Sequence, residues 1–306
     1  MAKTKVVISG LIYIVTMMRY FVEAFEQRND VDLTVVGPYF GVDIPWQNWM
    51  RLPEKYLKVP DIPLPRTAAS TSMHPQMLVD KLPKDIDLFI QVDAGWRLSA
   101  RPPGKVVAHV QTDPHVLKGA YALPKSYSDF NFCMQTPYIE PGEIFLPYAL
   151  APWHSYSLDL PKEYDVCMIG LQYPQRIALE KKLTNKGYTV KSGIGIIFDE
   201  YREAYNKSKV AVSWSSLLDT PNRCFEAFGM KVPLVCNRTP DIMTLFKEGE
   251  HFLGFDGLDE AVMQIEWLIN HPEEAKQMTE AAYKAVMNGH TWDDRIHFIL
   301  DTCGFI

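Results

Sequence analysis

Arg223 and Glu226 are the residues whose type and spacing most clearly suggest chemistry. The stretch 213–237 around them predicts a strand, a polar loop, a helix, a turn and a second strand. Residues three apart share one face of a helix, so both side chains would project the same way. A cation in the first turn suits a diphosphate, and a carboxylate one turn further suits the two hydroxyls of a ribose. The stretch therefore predicts a nucleotide-sugar site, with an i,i+3 surface ion pair as the alternative.

A second group of polar residues follows predicted strands in the first half of the chain. Asp113 and His115 come just after the apolar run 105–110, and Asp93 follows the run 87–92. In open α/β sheets, ligands bind beyond the carboxyl ends of the strands. We predict Asp113 and His115 as the catalytic acid/base candidates, with Asp93 behind them. Ordinary capping or turn chemistry is the alternative for each.

The elements that must position these residues form two successive β/α series. The first begins with a strand at 5–9 and a predicted helix at 13–26, and the proline-containing segment 145–156 reads as a linker. We predict an α/β protein with two Rossmann-like domains facing across a cleft. The predicted boundaries are 1–151 for an acceptor domain and 152–306 for a donor domain. The last helix, 291–306, is expected to pack toward the first domain.

Composition narrows the function classes. The 306 residues carry a formal net charge of −6, which argues against general binding of polyanions. Five scattered cysteines, an odd number, suggest free thiols and a cytoplasmic location. No segment reads as a membrane span, and no GxGxxG supports a nicotinamide oxidoreductase. Asp85 and Asp87 spell a DxD pair but lead into a buried strand, so no metal site is predicted.

The motifs resemble those of the GT-B glycosyltransferases, and more narrowly the CgeB-like spore-protein relatives of family 4. The stretch 222–227 (NRCFEA), followed by Gly229 and Pro233, is similar to the family's donor helix. The segment 170–176 (GLQYPQR) resembles the glycine turn and arginine that open its second domain. Further similar segments are 112–115 (TDPH), 198–206 (FDEYREAYN) and 290–292 (HTW).

The resemblance implies a glycosyltransferase that uses a nucleoside-diphosphate sugar, such as a UDP-sugar, and needs no cofactor. It implies that Glu226 takes the ribose and that Asn222 and Arg223 face the diphosphate. Gly170 and Arg176 would complete the donor site. Many family 4 enzymes carry another glutamate eight positions before the ribose glutamate, where this chain has Leu218. Asp219 stands beside it as a substitute.

Several alternatives stay open at this point. Relatives suggest a retaining reaction, in which Asp113 and His115 would bind the donor sugar. In an inverting reaction one of them would act as base. The acceptor could be a saccharide, a protein or a modified nucleobase. A non-catalytic nucleotide-sugar-binding protein and a phage-type transferase acting on modified DNA bases are the alternative functions.

Overall fold

The computed structural model describes residues 3–45, 47–70 and 72–306. The chain divides into two compact units. Unit 1 comprises Met1–Pro147 and Trp292–Ile306, and unit 2 comprises Tyr148–Thr291. Each unit is built on its own parallel β-sheet, as predicted for an α/β protein.

Unit 1 contains an eight-stranded sheet in the order β12-β11-β10-β8-β1-β3-β2, with β6 also paired to β3. All of its strand pairs are parallel. The strands of unit 1, including two small separate pairs, are β1 Thr4–Ser9, β2 Ile12–Tyr13, β3 Val31–Gly41, β4 Asp43–Ile44, β5 Gln47–Arg51, β6 Ile62–Leu64, β7 Ser72–Met73, β8 Leu88–Val92, β9 Arg97–Leu98, β10 Val106–Gln111, β11 Phe130–Cys133 and β12 Ile144–Phe145.

The α-helices of unit 1 are α1 Met18–Glu26, α2 Pro114–Leu117, α3 Ala122–Tyr127 and α10 Trp292–Thr302. The last helix packs on α1: the Trp292 ring stacks on Tyr20 at 5.5 Å and meets Phe21 edge-on at 4.8 Å. Arg295 Nε also donates to the carbonyl of Pro147 at 2.8 Å. The chain end is thereby fixed within unit 1 by both aromatic packing and a buried polar contact.

The helix predicted over 13–26 is shorter than its apolar pattern suggested. Ile12 and Tyr13 pair with β3 as strand β2, and the helix begins only at Met18. The hydroxyl of Thr16 donates to the carbonyl of Leu11 at 3.0 Å and fixes the turn between them. The apolar run 11–14 serves the sheet because β3 extends beyond the end of β1 and offers it a partner.

Unit 2 contains a five-stranded parallel sheet in the order β14-β13-β15-β16-β17. Its strands are β13 Tyr164–Ile169, β14 Val190–Gly193, β15 Ser208–Ser213, β16 Leu234–Asn237 and β17 Leu253–Phe255. Its helices are α4 Pro174–Asn185, α5 Phe198–Asn206, α6 Asn222–Gly229, α7 Pro240–Leu245, α8 Leu258–Asn270 and α9 Pro272–Met287.

The strand order of unit 2 places a topological switch at β13 and β15. The chain leaves β13 toward β14 on one side and returns to β15 on the other. Helices that follow these two strands diverge to opposite faces, which opens a crevice at the carboxyl ends of the strands. An apolar core holds the sheet rigidly beneath this edge, with Val166, Met168, Val210 and Val212 at most 1% exposed. None of the described helices is both long and apolar enough to span a bilayer.

Candidate active site

Gly170 is the first residue after β13 and lies beside Arg176 and Arg223 in the candidate site. Its φ of +130° is a conformation that side chains rarely adopt. A Cβ at this position would lie 3.0 Å from Arg223 Nη1 and 3.1 Å from Arg176 Nη1. The bare glycine therefore lets two guanidinium groups approach the same stretch of backbone.

Arg176 reaches this place from the first turn of α4. Its Nε donates to the carbonyl of Trp214 at 2.8 Å and its Nη1 to that of Leu171 at 2.9 Å. The residue is 2% exposed. Burial, followed by the positive charge of Arg223, lowers the pKa of Arg176 to about 10. A lowered pKa means that the charged form of Arg176 is destabilised in this environment. An anion bound here would stabilise that charged form.

Arg223 approaches from the first turn of α6. Its Nη1 is buried without a hydrogen-bond partner, and so are Asn222 Oδ1 and Ser213 Oγ at the end of β15. No side chain caps the N-terminus of α6. Buried polar atoms without partners are uncommon in folded proteins and call for an explanation. Arg223 Nη1 and Ser213 Oγ can donate to a phosphate at the N-terminus of α6, whereas Asn222 Oδ1 can only accept a hydrogen bond.

Glu226 lies one turn further along α6 and is held from two sides. Tyr201, on α5, donates its hydroxyl to Oε2 at 2.8 Å, and Asn222 Nδ2 donates to Oε1 at 2.7 Å. Burial, then the charge of Glu226, raises the pKa of Tyr201, so its phenol stays a donor. A carboxylate can accept more than one hydrogen bond at each oxygen.

The loop between β15 and α6 is anchored at both ends. The backbone N–H of Ser215 donates to Asn237 Oδ1 at 2.7 Å, and its hydroxyl bonds to Asp219. Near the other end, the hydroxyls of Thr220 and Thr239 bond to each other. Leu218, which stands where the resemblance expects a glutamate, is 52% exposed. Asp219 beside it is half-buried. Its role as a substitute for that glutamate stays a prediction.

Asp113 and His115 lie in unit 1, at the carboxyl end of β10. The backbone N–H of Asp113 donates to the hydroxyl of Tyr121 at 3.1 Å, and α2 begins at the next residue. The ring of His115 lies 5.8 Å from that of Tyr138, with Nδ1 buried and unpartnered. Their position at a strand end is compatible with the predicted catalytic role, which stays a prediction.

The structure thus brings Gly170, Arg176 and Arg223 together, and places Asn222 and Glu226 in direct contact. Sequence analysis did not identify the support that Tyr201 gives to Glu226. Asp87 of the DxD spelling is engaged structurally, since Oδ2 accepts from the backbone N–H of Lys5 and Oδ1 pairs with Lys105. Within the described ranges, no group of three or more His, Cys, Asp and Glu residues could hold a metal ion.

Residues 157–301 match the family Glyco_trans_1_2, described as "Glycosyl transferase-like". No curated protein matches the chain with significance. The family match covers nearly all of unit 2 and therefore the whole arginine and glutamate cluster.

Solved structures match over almost the entire length. A sucrose-phosphate synthase from Thermosynechococcus elongatus has 12% identity and a TM-score of 0.66, with 98% of each chain covered. Anabaena HepE in complex with UDP-glucose has 10% identity and a TM-score of 0.65, covering 99% of this chain and 100% of that one. A UDP-N-acetylglucosamine 2-epimerase has 13% identity and a TM-score of 0.55, covering 99% and 98%.

These likenesses define the class. The fold is that of the GT-B glycosyltransferases, an architecture that the epimerase also has. The family match adds evidence on the type of reaction, because a fold alone does not determine the reaction. The chain therefore has the GT-B fold, and residues 157–301 are similar to a glycosyl transferase-like family. The narrower CgeB-like resemblance is not confirmed.

Proposed function

We propose that the protein transfers a glycosyl group from a nucleoside-diphosphate sugar, a UDP-sugar, to an acceptor hydroxyl. The observation that carries this proposal is the close approach of the Arg176 and Arg223 guanidinium groups to Gly170. Neither Arg176 nor Arg223 forms an ion pair with a carboxylate in the part of the chain that the structure describes. Two adjacent guanidinium groups without a counter-charge are costly unless an anion binds them.

A diphosphate fits this pocket in charge and in hydrogen bonding. Arg223 Nη1 lacks a partner, and the uncapped start of α6 adds backbone N–H groups and the positive end of a helix dipole. Glu226 lies one turn away, so a ribose attached to the diphosphate would bring its two hydroxyls to the carboxylate. Anabaena HepE, which shares the fold, has been solved with UDP-glucose and with UDP, and this supports uridine as the base.

The chemistry requires stabilisation of the leaving diphosphate. Negative charge grows on that group in an oxocarbenium-like transition state, and preorganised donors stabilise it. We propose that Arg176, Arg223 and the start of α6 provide this stabilisation without a metal ion. We propose a retaining reaction, which needs no strong base, so neither Asp113 nor His115 has to deprotonate the acceptor.

Release of UDP from a panel of UDP-sugars by the purified protein tests the proposal. We expect release from at least one donor, with transfer to an added saccharide and unchanged rates after EDTA treatment. Tight UDP binding without turnover would instead indicate the non-catalytic binding protein. Conversion of UDP-N-acetylglucosamine to its epimer would indicate the epimerase chemistry that the same fold supports, and abolition by EDTA would contradict metal independence.

A further inference from the structure

A groove lies at the edge of the unit 2 sheet opposite to Gly170 and the other donor-site candidates. The strands of this sheet are parallel, so their amino ends lie along one edge and their carboxyl ends along the other. Residues at the amino ends of β13, β15 and β16 and residues of α8 and α9 line the groove. Its volume of about 400 Å³ is within the range of small-molecule pockets.

Four lysines line this groove, which we call the lysine groove. Lys162 precedes β13, Lys209 lies in β15, Lys231 precedes β16 and Lys276 lies in α9. Among the described residues that line it, none is an aspartate or a glutamate. The chain as a whole has a formal net charge of −6, so the groove is a local concentration of positive charge against the overall balance.

Two of the lysines are neutralised by carboxylates that lie outside the lining. Lys209 Nζ lies 2.8 Å from Asp165 Oδ1, and Lys231 Nζ lies 2.9 Å from Glu280 Oε1. Both pairs are partly exposed to solvent, so each contributes little to stability. Four lysines and two paired carboxylates leave an excess of two positive charges at the groove.

The other two lysines, Lys162 and Lys276, are not neutralised in this way. Lys162 Nζ donates to the backbone carbonyl of Asn206 at 2.8 Å, and the loss of water around the ammonium group lowers the pKa of Lys162. Across the ranges that the structure describes, neither lysine pairs with a carboxylate. A bound anion would stabilise these charged forms. The excess of two charges matches in size the charge of a phosphate monoester near neutral pH.

The buried side chains at the bottom of the lysine groove are apolar. Leu268, near the end of α8, is 2% exposed, and Ala275 of α9 is 6% exposed. Pro233, just before β16, is half-buried beside them. The lysines are half-buried or exposed, so the positive charge lies nearer to solvent than the apolar surface does. A ligand that fills the groove therefore needs an apolar part as well as an anionic group.

We propose that the lysine groove binds a small, soluble phosphate monoester whose organic part is apolar. The ammonium groups bind the phosphate oxygens, and Leu268, Ala275 and Pro233 contact the organic part. Inorganic phosphate lacks that apolar part. A phospholipid in a bilayer directs its chains away from the protein, so its headgroup would leave the apolar side chains uncovered.

Calorimetric titration of the full chain with 1-naphthyl phosphate tests this inference. We expect binding at least about tenfold tighter than that of inorganic phosphate, because the naphthyl group buries apolar surface. The ester should also bind more tightly than 1-naphthyl sulfate, which carries a single negative charge, and than neutral 1-naphthol. Absence of binding, or equal binding of 1-naphthol or inorganic phosphate, overturns the inference.

Charge variants of the groove provide the second measurement. Lys276→Glu reverses one charge at an exposed position and should weaken binding of the ester about tenfold or more. Lys162→Met should weaken it about threefold or more. Lys182→Met is the matched control, because Lys182 is a unit 2 lysine on α4 that pairs with Asp259. It should bind the ester as wild type does, and unchanged affinity in Lys276→Glu overturns the inference.

Two further titrations separate the lysine groove from other sources of phosphate binding. Arg223→Met should retain binding of the ester, and its loss there would assign the ligand to the donor site and overturn the inference. Binding to vesicles that contain phosphatidic acid, without binding of the soluble ester, also overturns it. UDP titration of wild type reports separately on the proposed function, because the lysine groove shares no residue with the proposed donor site.

Discussion

Arg176 and Arg223 converge on Gly170, where a Cβ would lie 3.1 Å and 3.0 Å from their respective Nη1 atoms. Burial of Arg176, followed by the like charge of Arg223, lowers the pKa of Arg176. The arrangement persists because the carbonyls of Leu171 and Trp214 hold Arg176 and the start of α6 holds Arg223. The protein's own contacts therefore hold both guanidinium groups beside Gly170.

The first prediction concerns the close approach of the two guanidinium groups to Gly170. Gly170→Ala should weaken UDP binding at least tenfold, because a methyl group would displace both guanidinium groups. Gly187→Ala is the matched control: its φ of +93° is equally unfavourable for alanine, but its Cβ would meet nothing within 4 Å. Both variants should lose stability in denaturant titrations, by about 1 kcal/mol or more. Equal loss of UDP affinity in both would show that strain, not crowding, is responsible.

The second prediction tests whether Arg223 binds the second phosphate of UDP. Arg223→Met should weaken UDP binding by about 10- to 100-fold and UMP binding much less if, as we propose, the residue binds the diphosphate. Calorimetric titration with each nucleotide measures the difference. Lys186→Met serves as the control, since it removes a cation of unit 2 that pairs with Glu266. A uniform loss for UDP and UMP would place Arg223 away from the second phosphate.

The third prediction addresses the ribose. Wild-type protein should bind UDP more tightly than 2′-deoxy-UDP, and Glu226→Ala should abolish this preference while weakening UDP binding tenfold or more. Tyr201→Phe should reduce the preference in part, because it removes the donor that orients the carboxylate. Glu280→Ala, at a residue paired with Lys231, is the control. Persistent discrimination in Glu226→Ala would exclude a ribose contact.

The fourth prediction concerns stability in acid. Burial lowers the pKa of His109 to about 3, and the residue is fully buried in β10. The unfolded chain would protonate this histidine near pH 6.5, so the folded state loses stability as the pH falls from 6.5 toward 3. The slope is at most about 1.4 kcal/mol per pH unit.

Denaturant unfolding at pH 7, 5 and 4 measures that slope. His109→Leu should reduce the acid-dependent loss, whereas His297→Gln, at an exposed position on α10, should leave it unchanged. Parallel pH curves for wild type and His109→Leu would mean that other groups govern the acid response.

Local patterns made the donor helix predictable from the sequence. The polar turn before Asn222 and the glycine at its end bound α6, which the structure gives as Asn222–Gly229. Spacing along that helix also placed Arg223 and Glu226 on adjacent turns. Both inferences depend on short-range geometry, which the sequence expresses directly.

Contacts between distant elements could not be predicted in this way. Tyr201 reaches Glu226 from another helix, 25 positions earlier in the chain. The pocket over Gly170 depends on arginines from α4 and α6 meeting at the end of β13, which requires the strand order. The left-handed backbone of Asp93 and its contact with Tyr121 also arise only after the β8 and β10 ends are adjacent.

A crystal structure of the protein with bound UDP tests the central claim most directly. We predict the diphosphate against Gly170, within hydrogen-bond distance of Arg176 or Arg223, and the ribose hydroxyls on Glu226. A diphosphate bound elsewhere, with Arg223 Nη1 still lacking a partner, would contradict the account.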